Sequence, residues 1–467
     1  MSKYKKLIKN ILLFALSSFI PKAMSFFLVP IYTAYLTTGE YGVSDLINTT
    51  VSLFMPILTL NIRDAVLRFA LEEKYNKKDC LNISLRITVF DIVFLTIFTI
   101  IELNFKILHL DLLYIVFFDI ILVSNSLYDI FNSFCKGIDK VNTIVIASIV
   151  NSVSTFTLNI FLIVILKKGL FGFLLANSLG TILAVLIYIF HAKLYSYISV
   201  NYSKIQAREM IKYSFPMILS AIAWWINNAS DRYIVSWMLG VSASGIYAVA
   251  SKIPSILTTF QNIFMQAWSI SAIKEFDKND QDGFIGNMYT LVSCLLSVLC
   301  SMIILFNLFI SKMMFSGEFY IAWKYVPPLV LSITVDGLAL FLGNLFYAVK
   351  DTKSRALTTI CGAIFNTLLN FILIKLIGVY GAAIATFVGY FSGFVISRIL
   401  IKKYIHMQTN MKANDCVLLL LIIQVVMAYY GNRFCILQFT IFISIIFIYR
   451  SYIKKVLLTI KRKIKKV

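Results

Sequence analysis

The chain has 467 residues, of which 60% are hydrophobic and only 14% charged, and its formal net charge is +21. So little polar surface excludes a soluble multidomain protein and points to an all-α integral membrane protein that crosses the bilayer many times. A basic balance of this size would suit nucleic acid in a soluble chain, but membrane proteins collect Lys and Arg in cytoplasmic loops for topological reasons, so no nucleic-acid partner is expected.

Allowing roughly 20 apolar residues per crossing, spans are expected at about 10–34, 41–61, 81–103, 112–134, 142–166 and 171–192. After a polar connection they resume at about 213–238, 244–272, 287–311, 321–348, 356–376, 379–401, 415–431 and 434–450, about fourteen in all. The start MSKYKKLIKN runs into an apolar span without a cleavage site, so no signal peptide is expected. With the N-terminus inside, about 32 cations fall in cytoplasmic segments and about 7 outside, and an even span number puts both termini in the cytoplasm. The tail KKVLLTIKRKIKKV would also attract anionic membrane lipids. External loops are short, with Lys106 and His109 in one of them.

Seven scattered cysteines, without a CxxC or a Cys/His cluster, and three distant histidines, His109, His191 and His406, give no metal site, catalytic group or cofactor. A phosphate-binding GxxxxGK[ST] loop is likewise missing from the sequence, which disfavours direct use of ATP.

Polar residues inside the spans carry the functional signal. In YSFPMILSAIAWWINNASDRYIVSW, Trp224, Trp225, Asn227, Asn228, Asp231 and Arg232 share one sector of a helix, with Ile226, Tyr233 and Trp237 opposite. The next span, expected to continue from Gly245 through a kink at Pro254, gathers Ser251, Lys252, Ser255, Thr258, Asn262 and Gln266 on one side. An ionised group at the middle of a span costs roughly 2.5–3.5 kcal/mol or more, so Lys22, Arg86, Arg232 and Lys252 need a polar partner or a wet cavity. Ser18, Ser25 and Thr33 share the side of the first span that carries Lys22. Among the acids, Asp91, Asp231 and Asp336 are candidates for changing protonation or ion occupancy during a cycle, with Asp45, Asp119 and Asp129 also in or near spans. The alternative for Arg86 with Asp91 or Asp119 is a buried pair that holds helices together.

The halves are related at an offset of about 203, where Ile8, Lys9, Leu16, Ser17 and Gly42 match Ile211, Lys212, Leu219, Ser220 and Gly245. Such parallel repeats imply two six-span lobes that rock against each other. The expected organisation is a lobe over residues 1–195, a cytoplasmic connection over 196–212, a second lobe over 213–405, and two further spans with a basic tail over 406–467.

The opening FALSSFIPKAMSFFLVPIYTAYLTTGEYG, with Glu40 to Gly42 and the Arg68–Phe69 pair, resembles bacterial polysaccharide-unit flippases of the Wzx type, in the multidrug/oligosaccharidyl-lipid/polysaccharide exporter superfamily. So do YSFPMILSAIAWWINNASDRYIV with GIYAVASKIPSIL, and DTKSRALTTICGAIFNTLLNFILIKLIGVYGAAIATFVGY. The resemblance covers about residues 5–405 and implies a MATE-like fold. It also implies a carrier in the bacterial cytoplasmic (inner) membrane that moves undecaprenyl-diphosphate-linked oligosaccharide units to the outer leaflet, for O-antigen, lipopolysaccharide, capsule or a related glycan. A glycan polymerase and chain-length machinery are the partners it implies. Lys22, Arg232 and Lys252 would meet the diphosphate, and Asn227, Asn228, Gln261, Gln266, Trp224, Trp225 and Trp268 the sugars. Other readings are a drug or cation antiporter of the same superfamily, a flippase for a peptidoglycan lipid precursor, and a membrane glycan polymerase or ligase. Short external loops count against the last, since such enzymes hold catalytic groups in a long loop.

Overall fold

A computed structural model describes residues 3–105, 111–199, 201–450 and 452, with side chains from residue 19 onward apart from those of 267 and 270. The opening cations, the Ser18 side chain, Lys106, His109 and the tail beyond residue 452 therefore lie outside the described residues. The chain divides into two compact units, Met1–Ala229 and Ser230–Val467, and the described secondary structure is helical throughout.

In the first unit the helices are Lys3–Tyr35 (α1), Thr38–Leu58 (α2), Ile62–Leu71 (α3), Lys77–Phe105 (α4), Leu112–Gly137 (α5), Val141–Asn159 (α6, prolonged by a π turn over Ile160–Ile165) and Gly169–His191 (α7). Helix α8, Lys204–Leu239, contains the division between the units. The second unit continues with Val241–Ala250 (α9), Pro254–Lys274 (α10), Phe284–Leu305 (α11), Asn307–Met314 (α12), Val326–Ala348 (α13), Thr352–Ile377 (α14), Val379–Ile401 (α15), Met411–Ala428 (α16) and Cys435–Ile448 (α17). Among the described residues, 10 helices are long and apolar enough to cross a membrane, or 11 when the bent pair α2–α3 counts as one. The expected count of about fourteen is higher, and the difference has a physical source. Helices α8 and α10 are long, but the polar residues along them lower their apolar character.

Apolar runs of this length become helices in lipid because a helix pairs its own N–H and C=O groups. The hydroxyl and amide side chains follow the same rule: Asn48 donates to Ser44 O at 2.8 Å, Ser152 to Ser148 O at 2.8 Å and Asn177 to Phe173 O at 2.8 Å. Each polar side chain spends a donor on a carbonyl of its own helix and so remains compatible with a nonpolar surround.

Breaks occur where that pairing fails. Between α2 and α3 the axis turns by 56°, and the turn places Leu60 and Asn61 at φ of 51° and 48°. Asn61 is held there by its amide, which donates to Asp64 at 2.7 Å. The expected continuous span from Gly245 is two helices, α9 and α10, separated by a turn over residues 251–253. Pro254 has no N–H, and its ring would strike the Ala250 carbonyl, so it begins a helix instead of bending one. Lys252 consequently sits in the turn, away from the middle of any helix.

The first unit is closed by a core of Ile62, Val66, Phe69, Leu81, Phe134 and Tyr188. Glu40, in the EYG motif, locks another end. One carboxylate oxygen accepts from the Thr37 N–H at 2.8 Å and the Thr37 hydroxyl at 3.0 Å, while the other accepts from Leu170 N at 3.2 Å. A single side chain thus caps α2 in a capping box and also meets the N-terminal end of α7. Gly169 has φ +51°, and a Cβ there would stand 2.5 Å from that carboxylate, so a side chain would displace the lock.

In the second unit α13 is the central helix: 78% of its apolar window is buried, against 17% for α14. Helix α16 attaches to α11 through a buried polar pair, Ser301 donating to Gln424 at 2.7 Å and Gln424 donating back to Ser301 O at 3.1 Å. Asp280, fully buried, accepts from Ile285 N, Gly286 N and Gln408 N at 2.8–2.9 Å. It ties the start of α11 to the segment after α15. At the α14 N-terminus, hydrogen bonds from Ser354 and from Tyr404 hold the Asp351 carboxyl below its usual range. This cap is therefore present at neutral pH and is lost as acid protonates the group.

The double cap yields a clear expectation. Glu40→Ala should destabilise the protein by about 1–2 kcal/mol, and Glu40→Gln by less, because Gln keeps one acceptor. Thermal unfolding in detergent measures both, and an unchanged midpoint for Glu40→Ala would exclude the lock.

Candidate functional site

Close packing of α14 on α15 builds the most polar buried cluster of the second unit. A Cβ on Gly362 would stand 3.0 Å from Gly389 O, and one on Gly389 would stand 2.6 Å from the Asn366 Cβ. Small residues at the crossing bring the helices near enough for side chains on both to meet one carboxylate. That carboxylate is Asp231 of α8, which is 7% exposed. It accepts from Thr386 Oγ1 at 2.6 Å, from Asn370 Nδ2 at 2.7 Å and from Tyr247 Oη at 3.1 Å. With its amide turned to the orientation its neighbours favour, Asn366 adds a fourth donor, an N–H at 2.9 Å.

Helices α8, α9, α14 and α15 each contribute to this cluster. Four neutral donors surround one acid, and the partners are hard oxygen and amide groups. Asn370 Oδ1 is buried and has no hydrogen-bond partner among the described residues. The Asp231 carboxylate, Asn370 Oδ1 and the Thr386 hydroxyl thus present oxygen ligands of the kind that hold a small hard cation or exchange a proton. Among the described residues, no group of three His, Cys, Asp or Glu side chains offers a transition-metal site.

A second acid, Asp336 on α13, accepts from Gln261 Nε2 at 3.0 Å, and Gln261 is 2% exposed. Gln261 is thereby engaged by Asp336 within the helix packing. Asp91 on α4 is buried, and one of its oxygens lacks a hydrogen-bond partner among the described residues. Asp119 accepts from Thr99 at 2.7 Å, Asp129 pairs with Arg63 at 2.6 Å, and the Arg86 guanidinium lies 4.5 Å over the Tyr202 ring.

The helical-wheel sector of α8 divides in the structure. Trp225 is buried and its indole N–H donates to Thr49 O at 2.9 Å, so the polar atom of this ring is used in holding α8 to α2. Trp224 is exposed, and Asn227 and Asn228 donate to Ala223 O and Trp224 O at 3.0 and 2.8 Å. Trp268 is buried, stacked on Phe341 at 4.1 Å with its indole N–H on Phe341 O. Of the cations, Lys22 is exposed on α1, and Arg232 and Lys252 are half-buried. Gln266 is exposed on α10.

Tyr247, Asn366, Asn370 and Thr386 were not singled out by the sequence reading. The signal available was the pair Asn366 and Asn370, four residues apart within the apolar run of α14, which places both amides on one face.

The family described as "Polysaccharide biosynthesis protein" matches residues 7–270, more than half of the chain, and the chain belongs to that family. A stretch of 228 residues, 46% of this chain, is 26% identical to the probable low-salt glycan biosynthesis flippase Agl15 of Haloferax volcanii. The match spans 48% of that relative, about half its length. Among solved structures, "Lipid II flippase MurJ, inward closed conformation" superposes with a TM-score of 0.69 at 14% identity, covering 96% of this chain and all of that one. An inward-facing multidrug resistance MATE family transporter of the MOP superfamily gives 0.68 at 12% identity, covering 84% of this chain and 98% of that one. The chain is thus a multi-pass membrane protein of MurJ/MATE-like fold that belongs to the polysaccharide biosynthesis protein family.

The cluster geometry sets an order of stability. Asp231→Ala leaves buried donors without their acceptor and should cost about 1–3 kcal/mol, whereas Lys22→Ala, at an exposed position, should stay within about 0.5 kcal/mol of the parent. Unfolding midpoints of the two variants that coincide would show that the donors around Asp231 are not energetically joined to it.

Proposed function

We propose that this member of the polysaccharide biosynthesis protein family translocates a polyprenyl-diphosphate-linked oligosaccharide, such as an undecaprenyl-linked repeat unit of O-antigen, capsule or a related glycan. The transfer runs from the inner to the outer leaflet of a bacterial cytoplasmic membrane by alternating access. The carrying observation is the family match over residues 7–270, which includes α1, α8 and the cations Lys22, Arg232 and Lys252. The partial likeness to a glycan biosynthesis flippase points the same way.

Fourteen crossings follow if α1, α8 and the α9–α10 pair are added to the eleven apolar spans, and both termini are then cytoplasmic. The lobes of this reading cover residues 1–195 and 213–405, with α16 and α17 appended. Lys22, Arg232 and Lys252 draw in the anionic diphosphate. Trp224, Asn227, Asn228 and Gln266, which are exposed or half-buried, contact sugar, while Trp225 and Gln261 hold the helices that carry them. The prenyl chain stays in lipid.

Asp231 is the coupling group on this reading. A carboxylate inside a span, ringed by neutral donors, changes its net charge when it takes a proton or a cation, and that change alters how Tyr247, Asn370 and Thr386 are bonded. Asp336 and Asp91 are the further candidates, each with less of an oxygen cage around it.

Flux of a polyprenyl-diphosphate oligosaccharide in proteoliposomes tests the reading. Lys22→Ala and Arg232→Ala should each lower the rate by roughly tenfold, as expected when one charge-assisted phosphate contact is lost, with Arg232→Lys retaining part of it. Collapse of proton and sodium gradients should slow the parent but not Asp231→Asn. Parent flux that is indifferent to both gradients would remove Asp231 from coupling, and parent protein that moves no lipid-linked glycan would remove the substrate.

A further inference from the structure

The first unit contains a cavity of about 230 Å³. It is walled by α1, α2, α5, α6 and α7, and none of its lining residues carries a charge. Its polar lining includes Asn48, Asn125, Asn151, Asn177, Ser178 and Thr181. Its apolar lining includes Met24, Leu28 and Ile121.

The hydrogen bonds already made inside the helices fix what this cavity can offer. Asn48 and Asn177 each give one amide hydrogen to a carbonyl four residues back, and Asn177 also bonds Tyr32, which leaves the second hydrogen of Asn48 and the amide oxygens for a ligand. Ser152, Ser178 and Thr181 give their hydroxyl hydrogens to their own helices, which leaves oxygen lone pairs as acceptors. The wall therefore offers both acceptors and at least one donor. A neutral lining neither balances an ion nor repays its desolvation, so an ionic occupant is disfavoured. The space holds roughly seven waters, enough for one sugar ring and too little for an oligosaccharide or a sugar with its diphosphate.

We propose that this cavity is a saccharide subsite that takes one uncharged sugar ring, a neutral hexose or N-acetylhexosamine, of the transported glycan. Ring hydroxyls both donate and accept, which matches the amide and hydroxyl wall, and the C–H face of the ring matches the apolar lining of Met24, Leu28 and Ile121. The subsite rests on the reading of the chain as a carrier of lipid-linked glycans. It adds to that reading a preference for a neutral sugar over an acidic one at this position.

Saturation-transfer NMR with the full chain in nanodiscs tests it, with galactose, N-acetylglucosamine and glucuronate as probes. The neutral sugars should receive saturation at least fivefold more strongly than glucuronate. Ser178→Trp, which fills the cavity, should reduce the neutral-sugar signals about fivefold. Asn151→Leu, close to the parent in volume, should do the same by removing polar groups, and it serves if the Trp variant does not fold. Glucuronate signals equal to those of the neutral sugars overturn the proposal, as do neutral-sugar signals that persist in the variants, the result for a cavity that holds only water. Flux of the lipid-linked oligosaccharide is measured on the same preparations. Parent flux with signals unaffected by the variants rejects the subsite alone, and selective sugar signals without parent flux reject the transport reading alone.

Discussion

In the hydrocarbon core of a bilayer a polar group must find its partner in the protein, and the buried Asp231 carboxyl meets that requirement with donors from three other helices. The acid comes from α8, and the groups that satisfy it lie 16, 139 and 155 residues further along the chain, on α9, α14 and α15. Their meeting depends on the Gly362–Gly389 crossing, because wider spacing of α14 and α15 would separate Asn370 from Thr386. Packing of small residues and satisfaction of a carboxylate are here one structural event.

The same requirement sorts polar groups by charge along the chain. Neutral hydroxyls and amides occur throughout the spans, since each can be satisfied by a carbonyl of its own helix at no cost in tertiary structure. Full charges are treated differently. Arg63 with Asp129, Arg68 with Glu72, and Arg398 with Asp415 form ion pairs at helix ends or on exposed faces, where water shares the desolvation. Acids deep within helices meet neutral donors instead: Asp231 has Tyr247, Asn370 and Thr386, and Asp336 has Gln261. A neutral donor shell stabilises a carboxylate while leaving its net charge intact. A salt bridge would cancel that charge and with it any attraction for a passing cation.

Much of the fold was legible because apolar length and charge placement are local properties. Asp231 could be marked from sequence because an acid within WWINNASDRYIV is costly wherever the helix is placed. Its partners could not, since a helical wheel shows which residues share a face but not which helix covers that face. Trp225 shows the limit: it shares a sector with Trp224 and Asn228, yet α2 covers it while the other two remain exposed. The break before Pro254 was misjudged as a kink for another reason. Proline signals disruption in sequence, but whether a span bends or ends depends on the support available to the carbonyls before it. Of the residues lining the unit-1 cavity only Ser25 stood out along the chain, and the convergence of five helices is what makes the site.

The two polar features differ in a way that bears on how such a carrier could use energy. In the first unit the cavity is lined by neutral groups and has room for a molecule; in the second the cluster centres on an acid and is tightly bonded. A neutral polyol gains little from a buried acid and would have to compete with its tight donor shell, whereas a cation or proton gains less from a neutral wall than from a carboxylate. Recognition of sugar and binding of a coupling ion therefore place opposed demands on one lining. A chain that separates the two can tune the sugar wall by exchanging Asn, Ser and Thr without disturbing the acid. On the proposed function, this separation allows the glycan to vary while the ion chemistry at Asp231 stays the same.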